Sequence, residues 1–376
     1  MKIAMIGHKH FMTREGGVER VVSELAPRMK KMGNDVTVYD RFEIDKPYKK
    51  INEIEGVTVR HAPTLSYGFL NAFLYSLSAT ILSLFQHFDI VHYHAIGPST
   101  MIWIQKIFGR RIIVTVHGLD WKRSKWTGFA TQYLKFGERM AVKYADEIIV
   151  LSESDKEYFK NTYNRNTVLI KNGVEAPSFL EPVKLNKIGI KPFNYFLYLG
   201  RIVPEKNIDL LIESFLEYKS RNHTNEKLVI AGEINKGNEY HVKLKESTKN
   251  NTDIIFLGAV DGRMIPELYN HCKAFILPSS IEGMSIALLE ALSYGIPCIV
   301  SDIPENMAIG KTYSYPFHTG DKQSLIHAMQ YIKYLGDITG NIKNQEQIAY
   351  IQENFNWDSV AEKTILEYEK VINHGK

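Results

Sequence analysis

The chain has 376 residues, 44% of them apolar and 23% charged, with a formal net charge of +4. That length suits two domains better than one, and the composition is that of an ordinary soluble globular protein. So small a charge excludes polyanion binding driven by overall charge, and the two cysteines, Cys272 and Cys298, lack metal-ligand spacing and suit a reducing cytosol.

The opening run Met1–Gly7 reads as a strand, too short in its apolar part for a secretory core. Further apolar runs of strand length lie at Ile3–Ile6, Val36–Tyr39, Val57–Arg60, Ile90–Tyr93, Ile112–Val116, Glu147–Leu151 and Val168–Ile170. Between Gly17 and Met32, Val18, Val21, Val22, Leu25 and Met29 share one helical face, and Ala130–Tyr144 is a second long helix. The segment Phe69–Phe85 carries no charge and is nearly bilayer-long, but Asn71, Ser76, Ser78, Thr80 and Ser83 dilute it. It is expected to be a buried or interface-lying helix rather than a span.

Asn172-Gly173 closes the first half, and the proline-marked stretch Glu175–Phe193 looks like a connector. Three strands that end in glycine follow, at Tyr195–Gly200, Leu228–Gly232 and Ile254–Gly258. Glycine there lets a ligand approach the backbone at the strand edge where open α/β sheets bind. Alternating strands and helices predict α/β architecture, with two doubly wound parallel-sheet domains at 1–175 and 176–355 facing across a cleft. A tail helix, 356–376, is expected to cross back and brace the first domain.

Ala274–Asp302 reads as strand, loop, helix, strand: Ala274–Leu277, a turn at Gly283, a helix from Ser285 to Tyr294, then Cys298–Val300. Glu282 precedes the helix and Glu290 lies inside it. Eight helical residues rise about 12 Å, which disfavours an acid/base dyad and suits two ends of one elongated ligand. The amides of Gly283, Met284, Ser285 and Ile286 lie between them at a positive helix end. The competing reading is an ordinary surface loop with one solvated glutamate.

Arg201 and Lys206 stand five residues apart on the loop after a second-half strand, a fork and a mobile ammonium suited to a diphosphate, or simply exposed charges. Gly16-Gly17 opens a helix and is either a phosphate-receiving terminus or a flexible turn; without a third glycine a dinucleotide redox site is disfavoured. His117 follows Ile112–Val116 at the ligand-facing strand edge, with Gly118 leaving room for substrate; the competing reading is a structural histidine. No G-x-S-x-G elbow and no pair of aspartates one residue apart occur. His92 and His94 share a strand face but lack a third ligand, so no metal site is expected. Basic and aromatic residues interleave at Arg110-Arg111 and Trp121–Trp126. They suit a dock on an anionic membrane face or, through Trp121, a sugar-stacking platform, better than a nucleic acid.

Taken together, Glu282 and Glu290 with Gly283, the run GRIVPEKN around Arg201 and Lys206, His117-Gly118, Gly16-Gly17-Val18 and Asn172-Gly173-Val174 resemble the retaining GT-B glycosyltransferases of family 4 over nearly the whole chain. A narrower likeness, to bacterial polysaccharide rhamnosyltransferases, rests on REGGVE at 14–19 and HGLDWKRSKW at 117–126. The resemblance implies a nucleoside-diphosphate sugar as donor (dTDP-rhamnose, a UDP-sugar or a GDP-sugar), no required metal or cofactor, and hexosyl or deoxyhexosyl transfer. The acceptor is expected to be a glycan, lipid-linked, in surface polysaccharide or capsule synthesis. The protein is then cytoplasmic, at the inner membrane face as a peripheral protein.

By the same resemblance, Arg201 and Lys206 would neutralise the leaving diphosphate, with the Gly17 amide on the same phosphates. Glu290 would accept from ribose hydroxyls, Glu282 would contact the donor sugar beside Gly283–Ile286, and His117 would line the sugar's reacting face. Arg14 and Trp121 stand on the acceptor side. Gly232-Glu233-Ile234-Asn235 departs from the family pattern where the base would be read. The other readings are a sugar-nucleotide epimerase of similar fold and a silent nucleotide-sugar-binding subunit.

Overall fold

The computed structural model describes residues 1–13, 16–47, 50–122, 128–234, 237–340 and 342–374, the side chains of Phe69, Thr339 and His374 apart. The chain divides into two compact units, the first formed by Met1–Gly173 with the segment from Trp357 onward, the second by Val174–Asn356.

The first unit runs β1 (Lys2–Ile6), α1 (Gly17–Lys31), β2 (Asp35–Glu43), β3 (Glu53–Ile54), β4 (Val57–Thr64), α2 (Gly68–Leu84), β5 (Ile90–His94), α3 (Ile102–Ile107), β6 (Ile112–Val116), α4 (Phe129–Tyr144), β7 (Glu147–Val150), α5 (Glu153–Tyr163) and β8 (Val168–Leu169). The second runs α6 (Val183–Lys187), β9 (Tyr195–Leu199), α7 (Ile208–Asn222), β10 (Lys227–Ala231), α8 (Glu239–Ser247), β11 (Ile254–Gly258), α9 (Met264–His271), β12 (Ala274–Leu277), α10 (Ile286–Ser293), β13 (Cys298–Ser301), α11 (Pro304–Gly310), β14 (Ser314–Phe317), α12 (Lys322–Thr339) and α13 (Gln345–Asn354). The last helix, α14 (Trp357–His374), returns to the first unit, where it packs on α1.

Each unit is built on one sheet. The first has the order β3-β4-β2-β1-β5-β6-β7-β8, parallel except for the β3–β4 pair, and the second β11-β10-β9-β12-β13-β14, parallel throughout. Strands covered on both faces read as continuous apolar runs, and Ile3–Ile6, Ile112–Val114 and Ala274–Ile276 are fully buried. The order places β1 between β2 and β5, and β9 between β10 and β12. Strand order reverses at those points, leaving a crevice at the carboxyl ends of β1 and β5 and of β9 and β12.

Four features go beyond the sequence reading. β2 extends to Glu43, past its apolar run, because Asp40 is buried and satisfied there by the His8 ring and the Phe11 amide, both at 2.9 Å. The antiparallel pair β3–β4 has no apolar run at β3 to announce it. The connector Glu175–Phe193 carries a helix of its own: the Glu267 carboxylate caps α6 through the amides of Lys184 and Leu185, and α6 packs on α9. Finally, α14 starts tightly against the chain at Gly173, where a Cβ would lie 2.7 Å from the Trp357 amide nitrogen.

Candidate functional site

In the second unit the loops after β9 and β12 meet. Arg201 and Lys206 follow β9, and Glu282 follows β12. The Lys206 ammonium and the Glu282 carboxylate form an ion pair between the two loops. Arg201 is exposed and enters no ion pair among the described residues. Its loop is fixed from below: the buried Tyr198 hydroxyl donates to the Arg201 carbonyl at 2.7 Å, and the His241 ring bonds the Ile202 carbonyl at 2.5 Å. Burial, reinforced by the negative charge of Glu282, raises the Tyr198 phenol well above its ordinary pKa, so it stays a donor.

The two loops are also tied through backbone. Ser280 donates its amide to the Glu205 carbonyl at 2.9 Å, and the Asn207 side chain donates to the Pro278 carbonyl at 2.9 Å. Ser301, at the end of β13, donates to the Ser279 carbonyl and receives the Asn306 side-chain amide at 3.0 Å. These bonds hold the Pro278–Glu282 loop in place. Ser285 caps α10, accepting from the Leu288 amide at 3.3 Å. Gly283, Met284 and Ser285 are buried beside Glu282 and Ile286 begins the helix. Glu290, on α10, receives the Tyr269 hydroxyl at 3.2 Å. The two glutamates thus bind different partners.

In the first unit, His117 stands just after β6, and its Nε2 shares a hydrogen bond of 3.2 Å with Nδ1 of His94. His94 stacks on His92, with ring centroids 4.1 Å apart. The His92 ring bonds the Tyr368 hydroxyl on α14 at 2.6 Å and the Thr115 hydroxyl at 2.7 Å. Burial lowers His92 to a pKa of about 3 and His94 well below the ordinary range, so both are neutral. His92 and His94 form a hydrogen-bonded packing element, and among the described residues no group of three His, Cys, Asp or Glu side chains is placed to hold a metal ion. Gly7, at φ +132°, is needed at the end of β1: a Cβ there would lie 2.0 Å from the His94 carbonyl oxygen.

Gly16 is the N-cap of α1 and Gly17 its first residue. Glu19 comes back over this terminus: it accepts the Lys9 amide at 2.9 Å, and a Cβ on Gly16 would lie 2.6 Å from its other carboxylate oxygen. A carboxylate therefore already stands at the helix end where the sequence suggests phosphate. Trp121 is half-buried and anchored. Its indole N–H donates at 2.7 Å to Glu138, a buried carboxylate that also receives the hydroxyls of Tyr158 at 2.8 Å and Tyr163 at 2.5 Å. Arg14, Trp126 and Asn235 lie outside the described residues.

Sequence reasoning missed Tyr198, Tyr269 and Glu138. Each acts through a partner between 3 and 25 residues away, and none carries a local pattern.

Comparison with known proteins gives the chemistry of these crevices a family. Residues 15–176 match Glycosyltransferase Family 4, and residues 182–353 match Glycosyl transferases group 1. The chain carries two glycosyltransferase domains. The UDP-Gal:alpha-D-GlcNAc-diphosphoundecaprenol alpha-1,3-galactosyltransferase of Escherichia coli is 28% identical, over 69% of this chain and 71% of that one. The GDP-mannose:cellobiosyl-diphosphopolyprenol alpha-mannosyltransferase of Xanthomonas oryzae is 22% identical, over 97% and 96%. Among solved structures, Anabaena HepE in complex with UDP and glucose superposes with a TM-score of 0.80 at 16% identity, covering 98% of this chain and 100% of that one. The fold is GT-B, with two parallel-sheet α/β domains.

Proposed function

We propose that this glycosyltransferase moves a hexosyl or deoxyhexosyl group from a nucleoside-diphosphate sugar to a lipid-linked glycan, with retention at the anomeric carbon. The observation that carries this reading is the meeting of the β9 and β12 loops at a topological switch point, bringing Arg201, Lys206, Glu282 and the N-terminus of α10 together.

In this reading Arg201 and Lys206 take the diphosphate, which develops negative charge as the glycosidic bond breaks. Fixed cations aimed at such charge are among the strongest contributions to catalysis, and they meet it without a metal ion. The amides of Gly283–Ile286 add the positive end of α10. Glu290, oriented by Tyr269, accepts from ribose hydroxyls, and Glu282 contacts the donor sugar. In the first unit His117, with its tautomer set by His94, is assigned to the sugar, and the amides of Gly16 and Gly17 to phosphate once Glu19 yields the terminus. The bond from the anomeric carbon to the diphosphate oxygen breaks with its electron pair on the diphosphate. The acceptor oxygen bonds the same face, and its proton passes to the departing phosphate.

The names of the relatives support the substrate classes: a diphosphate-linked polyprenol acceptor in both, with UDP-galactose in one and GDP-mannose in the other. A lipid-linked acceptor places the enzyme at the inner membrane face as a peripheral protein. A thermal-shift panel of UDP, dTDP and GDP and their sugars identifies the donor. Stabilisation by one donor series, lost in Arg201→Ala, is the expected result; no shift with any of them sinks the assignment. Activity is expected to survive EDTA, and loss restored by magnesium would overturn the metal-free part.

A further inference from the structure

Resting on the donor site proposed above, we infer that the Lys206–Glu282 ion pair couples recognition of the sugar to recognition of the diphosphate, and that its re-formation after transfer loosens the spent nucleoside diphosphate.

The pair is largely shielded from water: the Lys206 side chain is 12% exposed and that of Glu282 9%. Breaking a buried pair by taking one partner away is costly, because the other is left as an uncompensated charge. A bare nucleoside diphosphate meets this cost in full. To bind Lys206 it must draw the ammonium off Glu282, which leaves a shielded carboxylate facing a new anion. The intact donor does not. Its sugar hydroxyls donate to Glu282 in place of the ammonium, through charge-assisted hydrogen bonds, while Lys206 turns to the diphosphate. Both groups keep a partner only when sugar and diphosphate arrive together.

Transfer reverses the exchange. As the bond from the anomeric carbon to the diphosphate oxygen breaks, its electrons stay on the diphosphate, the acceptor oxygen bonds the sugar, and the acceptor's proton goes to the phosphate. The sugar then leaves, Glu282 loses its hydroxyl donors and recaptures Lys206. Arg201, exposed and outside the pair, still holds the product, but more weakly than the two cations together. Such coupling is reciprocal: whatever factor the sugar adds to diphosphate binding, the diphosphate adds to sugar binding.

The test is calorimetric titration of the full chain with UDP, dTDP and GDP and with UDP-glucose, dTDP-rhamnose and GDP-mannose. It compares wild type, Glu282→Gln, Lys206→Met and the double variant, each checked for folding by thermal melting. Glu282→Gln is expected to bind the matching diphosphate about tenfold tighter, a factor within the usual range of site coupling. The preference for donor over diphosphate falls with it. In the Lys206→Met background the same change is expected to bring no tightening. Diphosphate affinity in Glu282→Gln equal to or weaker than wild type overturns the coupling, and so does equal tightening without Lys206, which is the mark of general charge removal. If Glu282→Gln does not fold, Glu282→Ala, which also removes the charge, gives the same comparison. Diphosphate binding that Lys206→Met leaves untouched shows instead that the donor-site assignment itself has failed.

Discussion

At the scale of single residues, the second unit separates groups that hold the loops from groups that face solvent. Arg201 makes no ion pair among the described residues and is exposed, so Arg201→Ala leaves the fold intact. Its expected effect is a fall in transfer rate of about a hundredfold, the scale seen when one donor to a developing oxyanion is removed; a rate within a few-fold of wild type contradicts the assignment. The buried histidines make a stability prediction. In the unfolded chain a histidine protonates near pH 6.5, whereas folded His92 resists protonation down to about 3. Between those values the unfolded state holds more protons, so stability present above pH 6.5 is lost as pH falls toward 3, by up to about 1.4 kcal/mol per pH unit for each such histidine. Urea unfolding at pH 7.5, 6 and 5 is expected to show a shallower decline in His92→Gln than in wild type. Arg201, Lys206, Glu282 and Glu290 were legible in the sequence because a glycine, proline or helix start beside a strand end gives each a local address. Tyr198 and Glu138 were not, and neither was the bond from His94 to His117, since these partners are set by tertiary packing.

Among the elements, the central strands and the helices α1, α4, α10 and α14 were legible because burial on both faces, or on one stripe, writes itself into the apolar pattern. β3 and α6 were not: one is two residues long, the other five, and both are held by neighbours. α14 makes the sharpest prediction at this scale. Trp357, its first residue, is 1% exposed against Gly173, and Tyr368 reaches His92 beneath β5. Trp357→Ala removes a large buried side chain where backbone contacts on both sides resist collapse. The expected cost is about 3–5 kcal/mol, read as a lower midpoint in denaturant at unchanged slope. A loss below 1 kcal/mol indicates that α14 is not integral to the first unit.

Over the whole molecule the composition is unremarkable, yet α2, besides burying Tyr75 and Ala79, turns polar residues inward and apolar ones outward. Its small polar residues face inward: Thr80 shares a hydrogen bond with the Tyr93 hydroxyl at 2.8 Å, and Gln105 donates to the Ser83 hydroxyl at 2.6 Å and to the Thr80 carbonyl at 3.0 Å. Its large apolar residues Leu70, Ile81 and Leu82 face solvent, followed by Phe85 at 82%. The neighbouring α3, which packs on α2 and α4, exposes Trp103 and Ile107, with Phe108 just beyond it, and α4 exposes Phe129 and Phe136. No described helix is long and apolar enough to cross a membrane, but apolar residues exposed in such number on adjacent helices suit contact with something apolar. The basic residues beside it are in part committed: Lys106 pairs with Asp146, and Arg110 caps the end of α2 through the Leu84 and Gln86 carbonyls. Apolar insertion is therefore expected to outweigh charge. With the lipid-linked acceptor proposed above, the expected occupant is the bilayer surface. The protein is expected to sediment with vesicles of mixed phosphatidylglycerol and phosphatidylethanolamine. Phe85→Ser, Ile107→Ser and Phe108→Ser together are expected to reduce binding at least tenfold, with most of the wild-type binding surviving 0.5 M salt. Binding that salt abolishes and the triple substitution leaves alone would mean that basic side chains, not this apolar face, hold the protein to lipid.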